Sequence, residues 1–267
     1  MPLAWRAPLS DQFPLAELTT FANTLADTAR QHTLRYFRQR FEVEHKSDES
    51  PVTIADRETE HHLRLLLAAQ YPEHGIYGEE FSNELSGQRL VWVIDPIDGT
   101  KSFISGVPTF GTLIALLADN RPLLGIIDMP ALDERWQGQS GAATLFNGHA
   151  CQTRNTATLA EATLFATGPE MFQGAAELRF NSLVQRVRLR RFGGDCHAYG
   201  LLAAGFIDLV VEADLKPFDY CALINVVEGA GGVITDWHGQ PLGLHSDGQV
   251  IAAANADLHQ QALAVLA

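Results

Sequence analysis

An unbroken apolar run at residues 90–94 leads directly into the acidic hexapeptide Asp95-Pro-Ile-Asp98-Gly-Thr100. Such a run is typical of a strand that is covered on both faces, so the chain is expected to stack layers on either side of a sheet. Pro96 is expected to end this strand, because proline cannot donate a hydrogen bond to the ladder. The carboxylate of Asp95 would then emerge at the rim of the sheet, where Asp98 can turn back beside it.

The hexapeptide predicts a metal site. Two carboxylates this close repel each other unless a cation lies between them, and oxygen ligands of this kind select Mg²⁺. Gly99 would let the backbone approach a ligand closely, and a helix that begins at Thr100 would offer free N–H groups to a phosphate. The alternative is structural, since Asp-Gly-Thr is also a common turn and aspartate a common helix cap.

Three further acidic segments lie at predicted element boundaries: Asp56 and Asp219 at the starts of helices, and Glu79 within Gly-Glu-Glu. Each alone has an ordinary explanation, either as an acid that matches a helix dipole or as solvated surface. Together with the hexapeptide they form a set of acids in a protein whose net charge is −13. Divalent cations held by these acids would reverse the sign of the field locally, which an anionic substrate requires.

The remaining pattern predicts an α/β chain in two closely packed halves with a cleft between them. We expect an α+β half with the metal-binding motifs at residues 1–150 and an α/β half with the substrate-recognition segments at 151–267. In the first half, helices are predicted at 15–41 and 55–71, a polar loop at 42–51, and strands at 110–117 and 122–128 around a hairpin turn. In the second half, helices are predicted at 170–185, 196–204, 218–230 and 256–267, and strands at 187–192, 207–212, 232–236 and 249–253.

Charge and composition argue against several classes of function. The acidic balance opposes nucleic-acid binding, which needs a basic surface. The three cysteines are too irregularly spaced for a disulfide framework or a zinc site. Residues 1–10 lack the apolar core of a secretory signal, and no apolar run approaches the length that spans a bilayer. We therefore expect a cytoplasmic protein with neither nucleic acid nor membrane as a partner.

The order of these segments resembles the inositol monophosphatase family over residues 46–237. The matching segments are Gly-Glu79-Glu, the hexapeptide after Trp92-Val-Ile, and Asp219-Tyr-Cys-Ala before Glu228-Gly-Ala-Gly-Gly-Val. The resemblance implies a layered α/β/α/β/α sandwich, usually dimeric, and a lithium-sensitive site for two or three Mg²⁺ ions. It also implies hydrolysis of a small phosphate monoester by a metal-activated water.

Carried over position by position, the resemblance assigns roles to this chain's residues. The metal ligands would be Glu79, Asp95, Asp98, Asp219 and the carbonyl of Ile97, with Asp95 bridging two ions. The catalytic residues would be Asp56 and Thr100, which orient and deprotonate the attacking water, together with Glu79. Backbone N–H groups of Gly99 and Thr100 would hold the phosphate, and Lys46 is expected to approach the metal region.

Within the family, Gly193-Gly-Asp195-Cys-His197 and the segment from Glu212 to Asp219 resemble the histidinol-phosphatase branch, as does Lys101-Ser-Phe. L-Histidinol phosphate carries an ammonium and an imidazole, which Asp195 and Glu212 could bind as charge-assisted acceptors. The alternative is that either acid only caps a helix or pairs locally. His197 departs from the tyrosine expected there, which concerns the outer part of the pocket.

The sequence also allows alternative functions. The same chemistry could act on inositol monophosphate or on a nucleotide 3′-phosphate, and a metal-binding regulatory module without turnover is a third hypothesis. The complete set of predicted catalytic acids argues against the regulatory module. A haloacid-dehalogenase phosphatase is disfavoured because two residues separate Asp95 from Asp98 where that motif has one, and no P-loop sequence occurs.

Overall fold

The computed structural model describes residues 12–40, 43–45, 51–85 and 87–266. The predictions made for residues 1–10 and for Lys46 lie outside these ranges. Within them, no helix is both long enough and apolar enough to cross a membrane.

The first half of the chain builds two long helices and a sheet of seven described strands. The helices are α1 (Leu15–Tyr36), α2 (Ile54–Gln70) and the short α3 (Thr100–Ile104). An antiparallel pair, β1 (Val43–His45) and β2 (Pro51–Thr53), lies between α1 and α2. The sheet runs in the order β3 (Gly75–Gly78), β4 (Leu90–Asp98), β5 (Gly111–Ala118), β6 (Arg121–Met129), β7 (Glu134–Gln139), β8 (Leu145–Phe146) and β9 (His149–Ala150).

The second half builds a mixed sheet and four described helices. Its strands are β10 (Thr163–Ala166), β11 (Leu189–Phe192), β12 (Leu209–Glu212), β13 (Val233–Thr235) and β14 (Val250–Ala253), in the order β11-β10-β12-β14-β13. Its helices are α4 (Ala175–Val184), α5 (Cys196–Ala203), α6 (Pro217–Gly229) and α7 (Ala256–Leu266).

Strand β4 shows why the sheet must be covered on both faces. Successive side chains of a strand point to opposite faces. Val91 and Val93 pack into the core that contains α5 and α6, whereas Trp92 and Ile94 pack into the core beneath α1 and α2. The apolar run at residues 90–94 therefore contributes side chains to two hydrophobic cores, one on each face of the sheet, as its pattern predicts.

The layers follow from these cores. Helices α1 and α2 cover the outer face of the first sheet, α5 and α6 fill the space between the two sheets, and α4 and α7 cover the outer face of the second. Helix α6 is buried along nearly its whole length, as its central layer requires. The predicted α/β/α/β/α sandwich is thus confirmed.

The hairpin between β5 and β6 is also confirmed. Asp119 and Asn120 join the strands with backbone φ angles of 50° and 61°. Both residue types tolerate this left-handed conformation, which two-residue hairpin turns need.

Several sequence predictions are wrong in detail. The loop predicted at 42–51 contains β1 and the start of β2, and no strand was predicted at the positions of β3, β7, β8, β9 and β10. Pro96 does not end its strand, because the ladder continues from the pair of Asp95 with Leu113 to the pair of Asp98 with Gly111. A proline can sit within a strand at a bulge, where the ladder does not need its missing N–H.

Candidate active site

A bulge at Pro96 and Ile97 brings the two aspartates of the hexapeptide together. The hydroxyl of Thr112 on β5 donates a hydrogen bond of 2.9 Å to the Pro96 carbonyl, inside the core. The Ile97 N–H donates to Oδ1 of Asp95 over 2.9 Å. Because a bulge re-aims the side chains around it, the carboxylates of Asp95 and Asp98 reach the same place.

A third aspartate comes from the first turn of α6. Asp219 is held there by the Lys216 N–H, which donates to its Oδ2 over 2.7 Å. One oxygen from each of Asp95, Asp98 and Asp219 lies within 4.8 Å of the others. The structure thus brings together three of the acids that the sequence predicts as metal ligands.

Burial and mutual repulsion both disfavour ionisation of these carboxyls. Burial, and then the charges of Glu79 and Asp98, raise the pKa of Asp95 well above its usual range. Burial, and then the charges of Asp195 and Asp219, do the same to the pKa of Asp98. For Asp219, burial is again the largest cause and raises its pKa to about 8.

This donor set fits a hard divalent cation. It consists of carboxylate oxygens, converges on one point and holds negative charges that repel each other until a cation neutralises them. Zinc or copper would favour nitrogen or sulfur ligands. Among the described residues, Cys196 bonds to Asp98 through its backbone N–H over 2.6 Å and also through its thiol. Burial raises the pKa of this thiol well above its usual range, and a protonated thiol is a poor metal ligand.

Glu79 and Asp56 lie at the margin of this cluster. Glu79 directly follows β3, and its charge acts on Asp56, Asp95 and Asp219. The carbonyl of Ile97, also predicted as a ligand, accepts a hydrogen bond of 3.1 Å from the Thr100 hydroxyl.

Asp56 combines a structural bond with a free acceptor. Its Oδ2 accepts from the Thr53 N–H over 2.8 Å and from the Thr53 hydroxyl, which closes a capping box at the start of α2. Its Oδ1 is buried and has no hydrogen-bond partner within the described chain. Burial is the largest cause that raises the pKa of Asp56 to about 6. The acid is therefore a helix cap, and it also has one carboxylate oxygen available near neutral pH.

Gly99 is required where β4 turns into α3. Its φ of 79° favours glycine, and a Cβ at this position would lie 2.9 Å from Oδ2 of Asp195. Thr100 begins α3, so its N–H and that of Gly99 lie where a helix offers donors without intrahelical acceptors.

The two acids predicted to recognise the substrate lie beside the aspartate cluster. A cavity of about 110 Å³ is lined by Asp98, Asp195, Glu212 and Asp219. Asp195 immediately precedes α5 and accepts a hydrogen bond of 3.0 Å from the Ser102 hydroxyl. Burial raises the pKa of Asp195, although the Ser102 bond opposes the rise.

Glu212 ends β12 and is held by three donors. Thr167 donates to its Oε1 through both its N–H, over 3.0 Å, and its hydroxyl, and Tyr199 donates to its Oε2 over 2.8 Å. Burial raises the pKa of Glu212, with the charge of Asp195 as a smaller contribution. The local pairing that the sequence left open is therefore present for Glu212, and the residue still lines the cavity.

The neighbours Cys196 and His197 do not form a nucleophilic pair. The Cys196 thiol is buried against Met129, whereas Nε2 of His197 lies 3.0 Å from Oε2 of Glu134. This agrees with the expectation that adjacent residues on a helix do not face each other. Trp136 is fully buried in the core and its ring packs against that of His197.

Four residues that shape the site have no role predicted from the sequence. Thr53 and Ser102 hold predicted acids, and their nearby sequence positions gave a partial signal. Thr167 and Tyr199 hold Glu212 from distant positions, and no local pattern points to them.

Comparisons of the whole chain with known proteins find similar sequences and structures. The sequence model of the inositol monophosphatase family matches residues 14–267. The chain is 46% identical over 259 residues to the bifunctional phosphatase IMPL2, chloroplastic, of Arabidopsis thaliana, with 92% of this chain and 75% of the relative covered. It is 36% identical over 247 residues to a histidinol-phosphatase of Chlorobaculum parvum, with 91% and 93% covered. The solved structure of an inositol monophosphatase from Zymomonas mobilis superimposes with a TM-score of 0.88 at 43% identity, covering 95% of this chain and 99% of that one.

Proposed function

The chain belongs to the inositol monophosphatase family and is a phosphatase, and from this premise we propose that it hydrolyses L-histidinol phosphate to L-histidinol and phosphate. One observation carries the proposal. The cavity beside the aspartate cluster is lined by two further carboxyl side chains, Asp195 and Glu212. A phosphate ester that also carries cationic groups would place its phosphate at the cluster and its cations against these acids.

We assign the metal to the aspartates and to Glu79. Asp95, Asp98 and Asp219, with Glu79 and the Ile97 carbonyl, would hold Mg²⁺, and Asp95 is the carboxyl on which the charges of Glu79, Asp98 and Asp219 all act. A divalent cation supplies Lewis acidity there: it lowers the pKa of water towards 7 and neutralises charge on the leaving oxygen.

The chain's own residues would orient the water and the phosphate. The free Oδ1 of Asp56 would accept the proton of the attacking water, aided by the Thr100 hydroxyl, and a pKa of about 6 suits a base near neutral pH. The N–H groups of Gly99 and Thr100 would donate to the equatorial phosphate oxygens. The water would attack phosphorus in line with the ester oxygen, the P–O bond would break, and no side chain would be phosphorylated.

Asp195 and Glu212 would have different tasks in recognition. Asp195 accepts one side-chain hydrogen bond, from Ser102, and so has capacity for a substrate ammonium or imidazolium. Glu212 is fixed by Thr167 and Tyr199, so its charge would act at a set position.

The second candidate substrate is inositol 1-phosphate. It is favoured by the 43% identity to the Zymomonas mobilis inositol monophosphatase, and its hydroxyls could donate to the same acids. A nucleotide 3′-phosphate is a further ester that this chemistry would accept. The homodimer, the cytoplasmic location, the number of Mg²⁺ ions and the division of the chain at residue 150 remain predictions.

The substrate is tested by phosphate release from L-histidinol phosphate, inositol 1-phosphate and a nucleoside 3′-monophosphate, measured side by side with Mg²⁺. The proposal expects the highest kcat/KM for L-histidinol phosphate. A preference for the inositol ester would keep the mechanism and contradict the role given to Asp195 and Glu212.

A further inference from the structure

The position of Glu79 depends on the turn that follows β3. The side chain of Glu79 hydrogen-bonds that of Asp95, so its carboxylate faces the acidic cluster. Its charge also acts on Asp56 and Asp219. The turn has little regular structure of its own, since β3 ends at Gly78. A bridge between Ile76 and Glu84 closes the turn, and the backbone beside Glu79 is held by side chains from within the turn and from α2.

Glu60 of α2 lies directly beneath this turn. Its side chain is 0% exposed, and both of its oxygens are used. Oε2 accepts from the Glu80 N–H over 2.7 Å, and Oε1 accepts from Nε of Arg64 over 2.8 Å. The carboxylate is thus paired with a cation on one side and bonded on the other to the backbone next to Glu79.

Gly78 leaves the space that this contact needs. A Cβ at Gly78 would lie 2.0 Å from Oε1 of Glu60, an overlap that would displace the carboxylate. The Gly78 N–H in turn donates to Oδ1 of Asn83 over 3.1 Å. The backbone on both sides of Glu79 is therefore fixed by side chains, with Glu60 as the buried one.

We propose that Glu60 is a positioning residue for the metal site: by binding the Glu80 N–H it holds Glu79 towards the aspartate cluster and so raises the affinity of the cluster for Mg²⁺. This inference rests on the proposed function, since it concerns the same metal. Residues that orient metal ligands without touching the metal typically contribute 10–100-fold in metal affinity. A purely structural role for the pair of Glu60 and Arg64 would affect folding stability and leave Mg²⁺ binding unchanged in the folded protein.

The test is Mg²⁺ binding to the metal-free protein, measured by calorimetry without substrate. Glu60→Gln keeps the size of the side chain but sets an NH₂ group against one of the two donors. We expect the Kd for Mg²⁺ to rise about 10–100-fold, and kcat at saturating Mg²⁺ to return close to the wild-type value. Because the remaining oxygen of glutamine can turn to the Glu80 N–H, a wild-type Kd in both folded Glu60→Gln and Glu60→Asp would overturn the inference.

A second variant covers the case in which Glu60→Gln does not fold. Glu60→Asp keeps the buried charge for Arg64, but its carboxylate is one methylene short of the Glu80 N–H. It should show the same loss of Mg²⁺ affinity, and where Glu60→Gln does not fold, a wild-type Kd in this variant alone would overturn the inference.

Glu84→Gln is the matched control. It removes the other ion pair of Arg64, which joins Nη1 to Oε1 of Glu84 over 2.9 Å at the surface. This variant should bind Mg²⁺ as the wild type does, and a loss equal to that of the Glu60 variants would overturn the role given to the Glu80 contact. Failure of the wild type to bind Mg²⁺ would contradict the proposed function itself, which distinguishes that result from failure of the Glu60 variants alone.

Discussion

The backbone N–H of Cys196 donates a hydrogen bond of 2.6 Å to Oδ2 of Asp98. This bond joins the end of β4 to the first residue of α5, and so links the acidic hexapeptide to the segment that contains Asp195. The charge of Asp195 acts on Asp98 as a result. The aspartate cluster and the segment around Asp195 are therefore joined by a direct hydrogen bond.

Two substitutions of Asp98 should separate the effect of its charge in the aspartate cluster from the effect of its hydrogen bond to the Cys196 N–H. Asp98→Asn removes a negative charge from the cluster but keeps an oxygen for the Cys196 N–H, whereas Asp98→Ala removes both. Both variants should lose phosphatase activity. The alanine variant should have a free energy of unfolding about 1–3 kcal/mol below that of the asparagine variant, because the Cys196 N–H loses its acceptor. Urea unfolding in EDTA measures the difference, and equal stabilities would show that the bond contributes nothing.

The metal-free protein should lose stability as pH rises. The folded pKa values of Asp56 and Asp219 are about 6 and about 8, above the ordinary value of 3.8. The folded chain therefore holds these protons more tightly than the unfolded chain does. The stability they contribute is full below pH 3.8 and is lost as pH rises through about 6 for Asp56 and about 8 for Asp219.

Thermal melts in EDTA and in Mg²⁺ check this dependence. In EDTA, Tm should fall from about pH 5 to about pH 8, and Mg²⁺ should raise Tm more at the higher pH because it neutralises the ionised carboxylates. Asp219→Asn should flatten the upper part of the curve. A Tm in EDTA that rises over this range would contradict the assigned pKa values.

The charge of Asp195 should matter for a cationic substrate. Asp195→Asn keeps an acceptor for the Ser102 hydroxyl and removes the charge. The kcat/KM for L-histidinol phosphate should fall about 10–100-fold, as expected for loss of a charge-assisted hydrogen bond, while inositol 1-phosphate is affected much less.

Ser102→Ala is the control for that substitution. It removes the hydrogen bond of Ser102 to Asp195 and leaves the charge, so the preference between the two esters should persist. Equal losses on both esters in Asp195→Asn would mean that Asp195 has no role in recognition.

The features that could be predicted from the sequence are those set by the order of residues within a short segment. The apolar run at 90–94 predicted burial on both faces because alternate residues on both faces of β4 are apolar. Asp95, Asp98 and Asp219 were predicted to meet because each lies at an element boundary within a recognisable family segment, and the structure places them together.

The rest depends on contacts between distant segments. Pro96 indicates the end of a strand when considered alone, and only the pairing of its strand with β5 on both sides of it shows that the ladder continues. Glu60 has the sequence environment of a surface helix residue, yet Gly78 leaves space for it beneath the turn. The positions of Pro96 and Glu60 are determined by packing between segments that are distant in the sequence, so the residues next to them in the sequence do not reveal these positions.

The central claim is that the aspartate cluster is a metal site for phosphate-ester hydrolysis. Its most direct test is phosphate release from L-histidinol phosphate by the wild type and by Asp95→Asn, each with Mg²⁺ and with EDTA. We expect wild-type turnover that EDTA abolishes, and a folded Asp95→Asn protein whose kcat is lower by more than about 100-fold, beyond the loss typical of residues that only orient ligands. Near-normal turnover by Asp95→Asn, or wild-type turnover that persists in EDTA, would contradict the account.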